Sequence, residues 1–350
     1  GEAGELKREL GDDSAAAGLF RQALGRLPEP RSPGLAWRIH HGLGLALAGQ
    51  GDNEAAVSEL QQAIVHIESV RDRLAEQRFR AGYVQDKYRV YIDLVRIQMD
   101  AGNEEGAFST AERLRSRSYA DLVETDFTGA KSSVGEQRET ELKERIRQLR
   151  RVLQEESASP AGLQRQPALQ IYSEELIAAE QDYQSMLDDH ARGTRRSARS
   201  NRPPTYAEIR QQLQPGEALV EYVVAEEQVM IFVLTRENMM ATRGNLSRTN
   251  LHSKVELLRD LIRRPESERW YRPAASLAAA LVGPVQESGA LEAVSDLYLV
   301  PHDSLNYLPF ALLPSGPDGD RLLVQDFTIT YLPTAAALME IPIGGTAKQS

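Results

Sequence analysis

A chain of 350 residues, 41% hydrophobic and 26% charged, has room for two or three domains and the composition of an ordinary globular protein. Its formal net charge of -10 and pI near 5.3 argue against a general nucleic-acid binder, because phosphate contact favours a basic surface. The absence of cysteine excludes disulfides and thiolate metal sites within this sequence, and no run reaches the roughly 18 apolar residues of a membrane span.

The start, GEAGELKREL, lacks an apolar signal-peptide core, so the expected compartment is cytoplasmic. Gly1 is not a natural initiator and IPIGGTAKQS stops shortly after a strand-like segment, so both ends read as cut. Residues 1–126 read as helices with small residues at regular places. From Gly11, offsets of 5, 9, 12 and 17 give Ala16, Phe20, Ala23 and Pro28; from Gly51, offsets of 5, 9 and 12 give Ala56, Leu60 and Ala63. Gly102 repeats the pattern more weakly with Ala107, Ala111 and Leu114, and Leu43, Gly44 and Leu47 sit where a first helix packs on a second. This resembles the tetratricopeptide (TPR) repeat, in which small residues let two antiparallel helices approach and a glycine ends the first. The anchors lie 40 and 51 residues apart, more than the TPR period of about 34. The extra residues fall at 31–34 and between Ile67 and Asp100.

FTGAKSSVG at 127–135 breaks the helical pattern. Leu142, Ile146, Leu149 and Leu153 then recur at helical spacing, with Glu139 and Lys143, and Glu141 and Arg145, as outward i,i+4 pairs. A second run through Leu169, Tyr172, Leu176, Ala179, Tyr183 and Met186 completes an expected helical hairpin. Residues 192–204, RGTRRSARSNRPP, carry five arginines and read as an exposed linker, completing a segment 127–203. From Thr205 the pattern becomes one of strands. A short helix ends at Pro215-Gly216, strands are expected over Ala218–Val224, Val229–Leu234 and Met239–Arg243, and helices over Leu251–Ile262 and Ala274–Gln286. The stretch Asp296–Leu313 gives a buried strand at Leu297–Val300, the turn HDSLN, and a return through Leu308, Phe310, Leu312 and Leu313. A final strand is expected at Phe327–Leu332.

ALVEYVV with QVMIFVLT, the apolar segment Leu277–Pro284, LYLVPHDSLNYLPFALL, and RLLVQDFTITYLPTAAAL together resemble the CHAT domain, a caspase-like domain found behind TPR repeats in bacteria. Upstream, YRVYIDL and AFSTAERLRSRSYADLV are similar to the helical repeat that precedes this domain. The resemblance implies a multidomain protein. An all-α TPR-like array (1–126) and a helical hairpin with its Arg-rich linker (127–203) lead into the N-terminal half of an α/β caspase-like (CHAT) domain (204–350). Asp296–Leu313 would mark its first core strand. In the family a His general base activates a Cys nucleophile, and both lie on later strands, beyond the segment matching ITYLPTAAAL. No catalytic residue therefore carries over to any position here, and His302 is expected to be an exposed turn residue.

No other chemistry is legible. The histidines His40, His41, His66, His190, His252 and His302 lack metal-ligand spacing, and the adjacent His40 and His41 point in different directions on a helix. His302, Asp303 and Ser304 have the residue types of a serine triad, but neighbours in one turn do not form its hydrogen-bonded chain, and no G-x-S-x-G elbow is present. Gly344-Gly345 with Lys348 lacks the ending of a phosphate-binding loop, and Asn245-Leu246-Ser247 is a glycosylation sequon without relevance in a cytoplasmic protein. The expectation is no catalytic, cofactor or metal site in this chain, and no nucleic-acid or membrane partner. The implied function is the regulatory or substrate-recruiting part of a TPR-CHAT cysteine endopeptidase. It would bind a protein or peptide through the repeats and join the catalytic remainder. An autoinhibited zymogen is a regulatory form of that reading; a non-catalytic TPR scaffold is the alternative.

Overall fold

The computed structural model describes residues 2–27, 33–71, 87–127, 204–263, 268–316 and 319–340, with helical positions between 141 and 182. They fall into two compact units, one of Gly1–Ile67, Asp86–Ala120 and Asn201–Ser350, the other of Glu68–Gln85 and Asp121–Ser200.

The described chain opens with three helix pairs: α1 (Glu2–Glu9) and α2 (Asp13–Arg26), α3 (Pro33–Gly49) and α4 (Asn53–Arg71), and α5 (Tyr88–Asp100) and α6 (Glu104–Phe127). Their turns are built alike. Gly11, Gly51 and Gly102 have φ of 76°, 84° and 74°, a left-handed conformation that a side chain would disfavour. In each, the glycine N–H donates to the carbonyl three residues back and the next N–H to the carbonyl five back, so the last turn of the first helix is satisfied. The following Asp12, Asp52 or Asn103 then accepts the N–H three residues on, at 3.1, 3.1 and 2.9 Å, and caps the second helix. The third turn, weakest in sequence, is as complete as the others. The small-residue pattern is the packing pattern: Ala16, Phe20, Ala56, Leu60, Ala63, Ala107, Ala111 and Leu114 are buried, with Ala23 half-buried. At Gly44 a Cβ would lie 2.8 Å from Leu60 Cγ and 3.2 Å from the Ala56 carbonyl, which is how closely α3 rides on α4. Pro28 and residues 31–32 lie outside the described residues.

Helix α7 (Tyr206–Gln212), started by a capping box between Thr205 and Glu208, leads into the sheet. Strands β1 (Glu217–Val224), β2 (Val229–Thr235), β3 (Met239–Gly244), β4 (Asp296–Val300) and β7 (Thr328–Tyr331) lie in the order β3-β2-β1-β4-β7. The first three form an antiparallel meander, while β1, β4 and β7 run parallel. A small ribbon of β5 (Pro314–Ser315) and β6 (Arg321–Leu322) stands apart. Strands β1 and β2 are buried along nearly their whole length, as expected of runs covered on both faces. On one face, Val220, Tyr222, Ile231 and Leu299 meet α8 (Arg248–Ile262), α9 (Tyr271–Leu281), α10 (Gly283–Glu287) and the residues following β4. On the other, Leu219, Val223, Phe232 and Val300 meet Val95 of α5, Ala107, Phe108 and Ala111 of α6, Ile209 and Leu213 of α7, and Ala335 and Leu338. The last repeat hairpin therefore forms part of a helical layer of the α/β core.

Asp296–Leu313 differs from expectation in its place in the sheet. Its strand is the fourth in chain order, lying between β1 and β7, and β1 is the strand with the longest buried run. The turn HDSLN is a 3-10 helix, Asp303–Tyr307, and a second, Phe310–Leu312, returns Phe310 and Leu313 to the core while Leu312 stays partly exposed. The terminal strand spans Thr328–Tyr331, followed by a 3-10 helix at Ala335–Glu340.

In the second unit, helical residues 144–149 and the helical positions 172, 175 and 179 supply a small core of Ile146, Leu149 and Ala179, with Tyr172 against it. Arg145 contacts Glu175 on the opposing run at 3.7 Å. The expected pair Glu139–Lys143 and the Arg-rich residues 192–203 lie outside the described residues.

Candidate functional site

Glu221 interrupts the apolar pattern of β1 at a fully buried position whose neighbours on that face are Leu219 and Val223. The small and aromatic residues Ala107, Phe108 and Ala111 bring α6 down onto the same face. Helical periodicity then places Glu112 and Arg115 on one side of α6, one turn apart. Both are buried, and both reach the carboxyl ends of the parallel strands.

Arg115 Nη1 donates to the carbonyls of Pro301, at 2.8 Å, and Val300, at 3.4 Å, while Nη2 donates to the carbonyl of Tyr222. Its Nε lies 3.0 Å from Glu221 Oε1. The guanidinium fork thus spans the exits of β1 and β4. Glu112 takes the exit of β7: its carboxylate accepts from the Thr334 hydroxyl at 2.8 Å and from the N–H groups of Ala335, at 2.9 Å, and Ala336, at 3.0 Å. Those amides open the terminal 3-10 helix, where N–H groups lack partners within the helix; the Ala336 N–H also reaches the Thr334 hydroxyl at 3.3 Å.

Burial, then the charge of Glu112, pushes the Glu221 carboxyl well above its ordinary 4.5, against the opposing pull of Arg115. Among the described residues neither oxygen of Glu221 accepts a hydrogen bond, and its raised pKa favours the protonated, neutral acid.

His302 corrects the expectation of an exposed turn residue. It is partly buried, and its Nδ1 accepts the Val224 N–H at 3.0 Å. The β1–β4 pairing ends at Glu221 and Val300, so the Val224 amide has run past its strand partner and the ring supplies the acceptor. The neutral ring carries its proton on Nε2. Burial first, then the charges of Arg115 and Arg248, lowers its pKa from 6.5 to about 3. Asp303 has a φ of 57° and pairs with Arg248 at 2.7 Å, while the buried Ser304 hydroxyl has no hydrogen-bond partner among the described residues. The three residues face separate tasks and assemble no nucleophilic relay.

His40 and His41 do diverge: His40 Nδ1 lies 2.7 Å from Glu59 Oε2 on α4, and His41 Nε2 lies 2.8 Å from Asp93 Oδ2 on α5. His40 stacks on His66, with ring centroids 5.3 Å apart. His252 contacts Glu256 at 3.3 Å on an exposed face of α8. Among the described residues no group of three or more His, Cys, Asp or Glu side chains is arranged to hold a metal ion, and no helix is long and apolar enough to cross a membrane. His190, Gly344, Gly345 and Lys348 lie outside the described residues. The Glu112–Arg115–Glu221 junction went unread in the sequence; the available signal was a Glu inside an otherwise apolar strand.

Two comparisons bear on identity. The CHAT domain family matches residues 271–349, a span that includes β4 and β7. Tetratricopeptide repeat protein 28 of Mus musculus and of Homo sapiens are each 31% identical to this chain over 97 residues, which is 27% of this chain and 4% of each relative's length. Glycine-turned helical hairpins thus lead into an α/β unit that carries the CHAT match, and the two similarities together support a TPR-CHAT organisation.

Proposed function

We propose that this chain is the regulatory and substrate-recruiting portion of a cytoplasmic TPR-CHAT cysteine endopeptidase, with the catalytic His and Cys supplied by sequence following Ser350. The repeats would bind a protein or peptide, and the sheet would receive the catalytic remainder of the same protein. The observation that supports the second part is the contrast between the two edges of the sheet. At β3, the Ala241 N–H donates to Glu104 and Arg243 pairs with Asp100 at 2.7 Å, so the edge is guarded by the last repeat hairpin. At β7, the N–H groups of Thr328 and Leu332 point inward to β4, and alternation turns those of Ile329 and Tyr331 outward. That outer edge has the backbone chemistry to accept another strand.

The test compares this chain with the protein extended through its downstream sequence. The extended protein should cleave peptides and lose that activity to a thiol-alkylating reagent, while the 350-residue chain remains inactive. An extended protein whose cleavage survives alkylation, or that cleaves nothing with or without a partner bound to the repeats, rejects the peptidase reading. The second reading, a non-catalytic scaffold, is favoured by the lack of cysteine in this sequence and predicts the inactive outcome.

A further inference from the structure

We propose that one turn of α6, carrying Glu112 and Arg115, is a conformational latch through which a displacement of the last repeat hairpin is transmitted to the exits of all three parallel strands and to the loop bearing His302. This goes beyond the peptidase reading and does not rest on it. The argument is one of geometry. Arg115 holds carbonyls of Tyr222, Val300 and Pro301, and Glu112 holds Thr334, Ala335 and Ala336. The exits of β1, β4 and β7 therefore share two side chains of one helix turn, and neither contact can be withdrawn without moving the other.

The carboxyl ends of parallel strands are also the edge of an α/β sheet where ligands and reacting groups gather. A helix that grips this edge while belonging to the repeat array links two functions mechanically. The connection continues past the first contacts. Pro301, held by Arg115, immediately precedes His302, and His302 holds the Val224 amide. The charged groups around the junction are Glu112 and Arg115 of α6, Glu221 of β1 and His302, with Arg248 of α8 engaged by Asp303 beyond them. The segment after β7 contributes a hydroxyl and two amides. Such a junction has few ways to adjust: a charge moved from it leaves partners unsatisfied in a region without water-facing alternatives.

Native-state hydrogen exchange on the 350-residue chain tests the latch without any assay of activity. In Glu112→Gln the amides of Ala335 and Ala336 should exchange at least about tenfold faster, the factor implied by losing a hydrogen bond to a charged group. The decisive readout is the Val224 amide, which Glu112 does not touch: it should accelerate as well. Faster exchange confined to Ala335 and Ala336 would mean two independent contacts and would overturn the proposal. If Glu112→Gln does not fold, Thr334→Val, which removes one partner of the same carboxylate, gives the same readout. Glu221→Gln should leave all three amides close to wild type, because the amide imitates the neutral acid; acceleration matching that of Glu112→Gln would overturn the charge assignment. From the repeat side, Gly102→Ala strains the turn that sets α6 on α5 and should accelerate Val224 while leaving the Leu60 amide of α4 unchanged. A response restricted to the α5–α6 turn would reject transmission.

Discussion

Glu221 and His302 sit at the same end of the sheet and respond to pH with opposite sign. The folded-state pKa of Glu221 is raised, so its contribution to stability is full below the unfolded value near 4.5 and is lost as pH rises toward the folded value. That of His302 is lowered to about 3, so its contribution is full above 6.5 and is lost as pH falls through that window. Denaturant unfolding measured from pH 4 upward should therefore show Glu221→Gln gaining on wild type as pH rises. His302→Asn keeps an acceptor for the Val224 amide without a titrating ring and should gain on wild type below pH 6.5. A difference from wild type that stays flat with pH contradicts the corresponding assignment. Arg115→Met leaves the buried Glu221 carboxyl without its cation and three carbonyls without their donor; it should destabilise by about 3–5 kcal/mol, the usual cost of breaking a buried pair from one side. Arg115→Lys should recover only part of this, since an ammonium lacks the planar fork that reaches several acceptors.

Among the elements, the helix turns were the most legible because their chemistry is local. A glycine that must adopt positive φ, followed by small residues at helical spacing, specifies a turn and a packing face within twenty residues. The capping Asp12, Asp52 and Asn103 were equally local and were passed over, although an Asp or Asn directly after the glycine signals the next N-cap. Two glycines in the second hairpin separate conformational from steric roles. Gly51→Ala meets no atom within 4 Å and should cost only the left-handed penalty, about 1–2 kcal/mol in thermal or urea unfolding. Gly44→Ala should cost more than an ordinary helix glycine replacement, which is otherwise stabilising by about 1 kcal/mol, because its Cβ meets Leu60 and the Ala56 backbone. A stabilised Gly44→Ala would show that α3 and α4 are not held at this spacing. In the sheet, Gly244 passes so close to the Ala280 carbonyl of α9 that no side chain fits. Its lone place at a strand end gave no hint of that neighbour.

At the scale of the whole first unit, the sheet is covered by its own helices on one face and partly by the last repeat hairpin on the other. Among the described residues β7 ends the strand order, and the proposed strand addition would take place there. Ile329→Pro removes an outward N–H and spares the ladder to β4, so the chain should stay folded while binding of a separately supplied downstream portion is lost. Thr330→Pro removes an inward donor and should unfold this edge instead. Equal binding by wild type and Ile329→Pro, measured by calorimetry, would exclude assembly through this edge.

Sequence alone determined the helical hairpins, the strand runs and the family resemblance, because each rests on periodicity, turn residues or motifs read within a short window. It also placed His40 and His41 in different surroundings, from the 100° step between neighbours on a helix. Tertiary structure alone decided what each buried polar group faces. Arg115 meets Tyr222 and Val300 across 107 and 185 residues of chain, and Glu112 meets Thr334 across 222. Periodicity tells which side of an element turns inward, but the partner it finds there is fixed only when distant layers close over the same core.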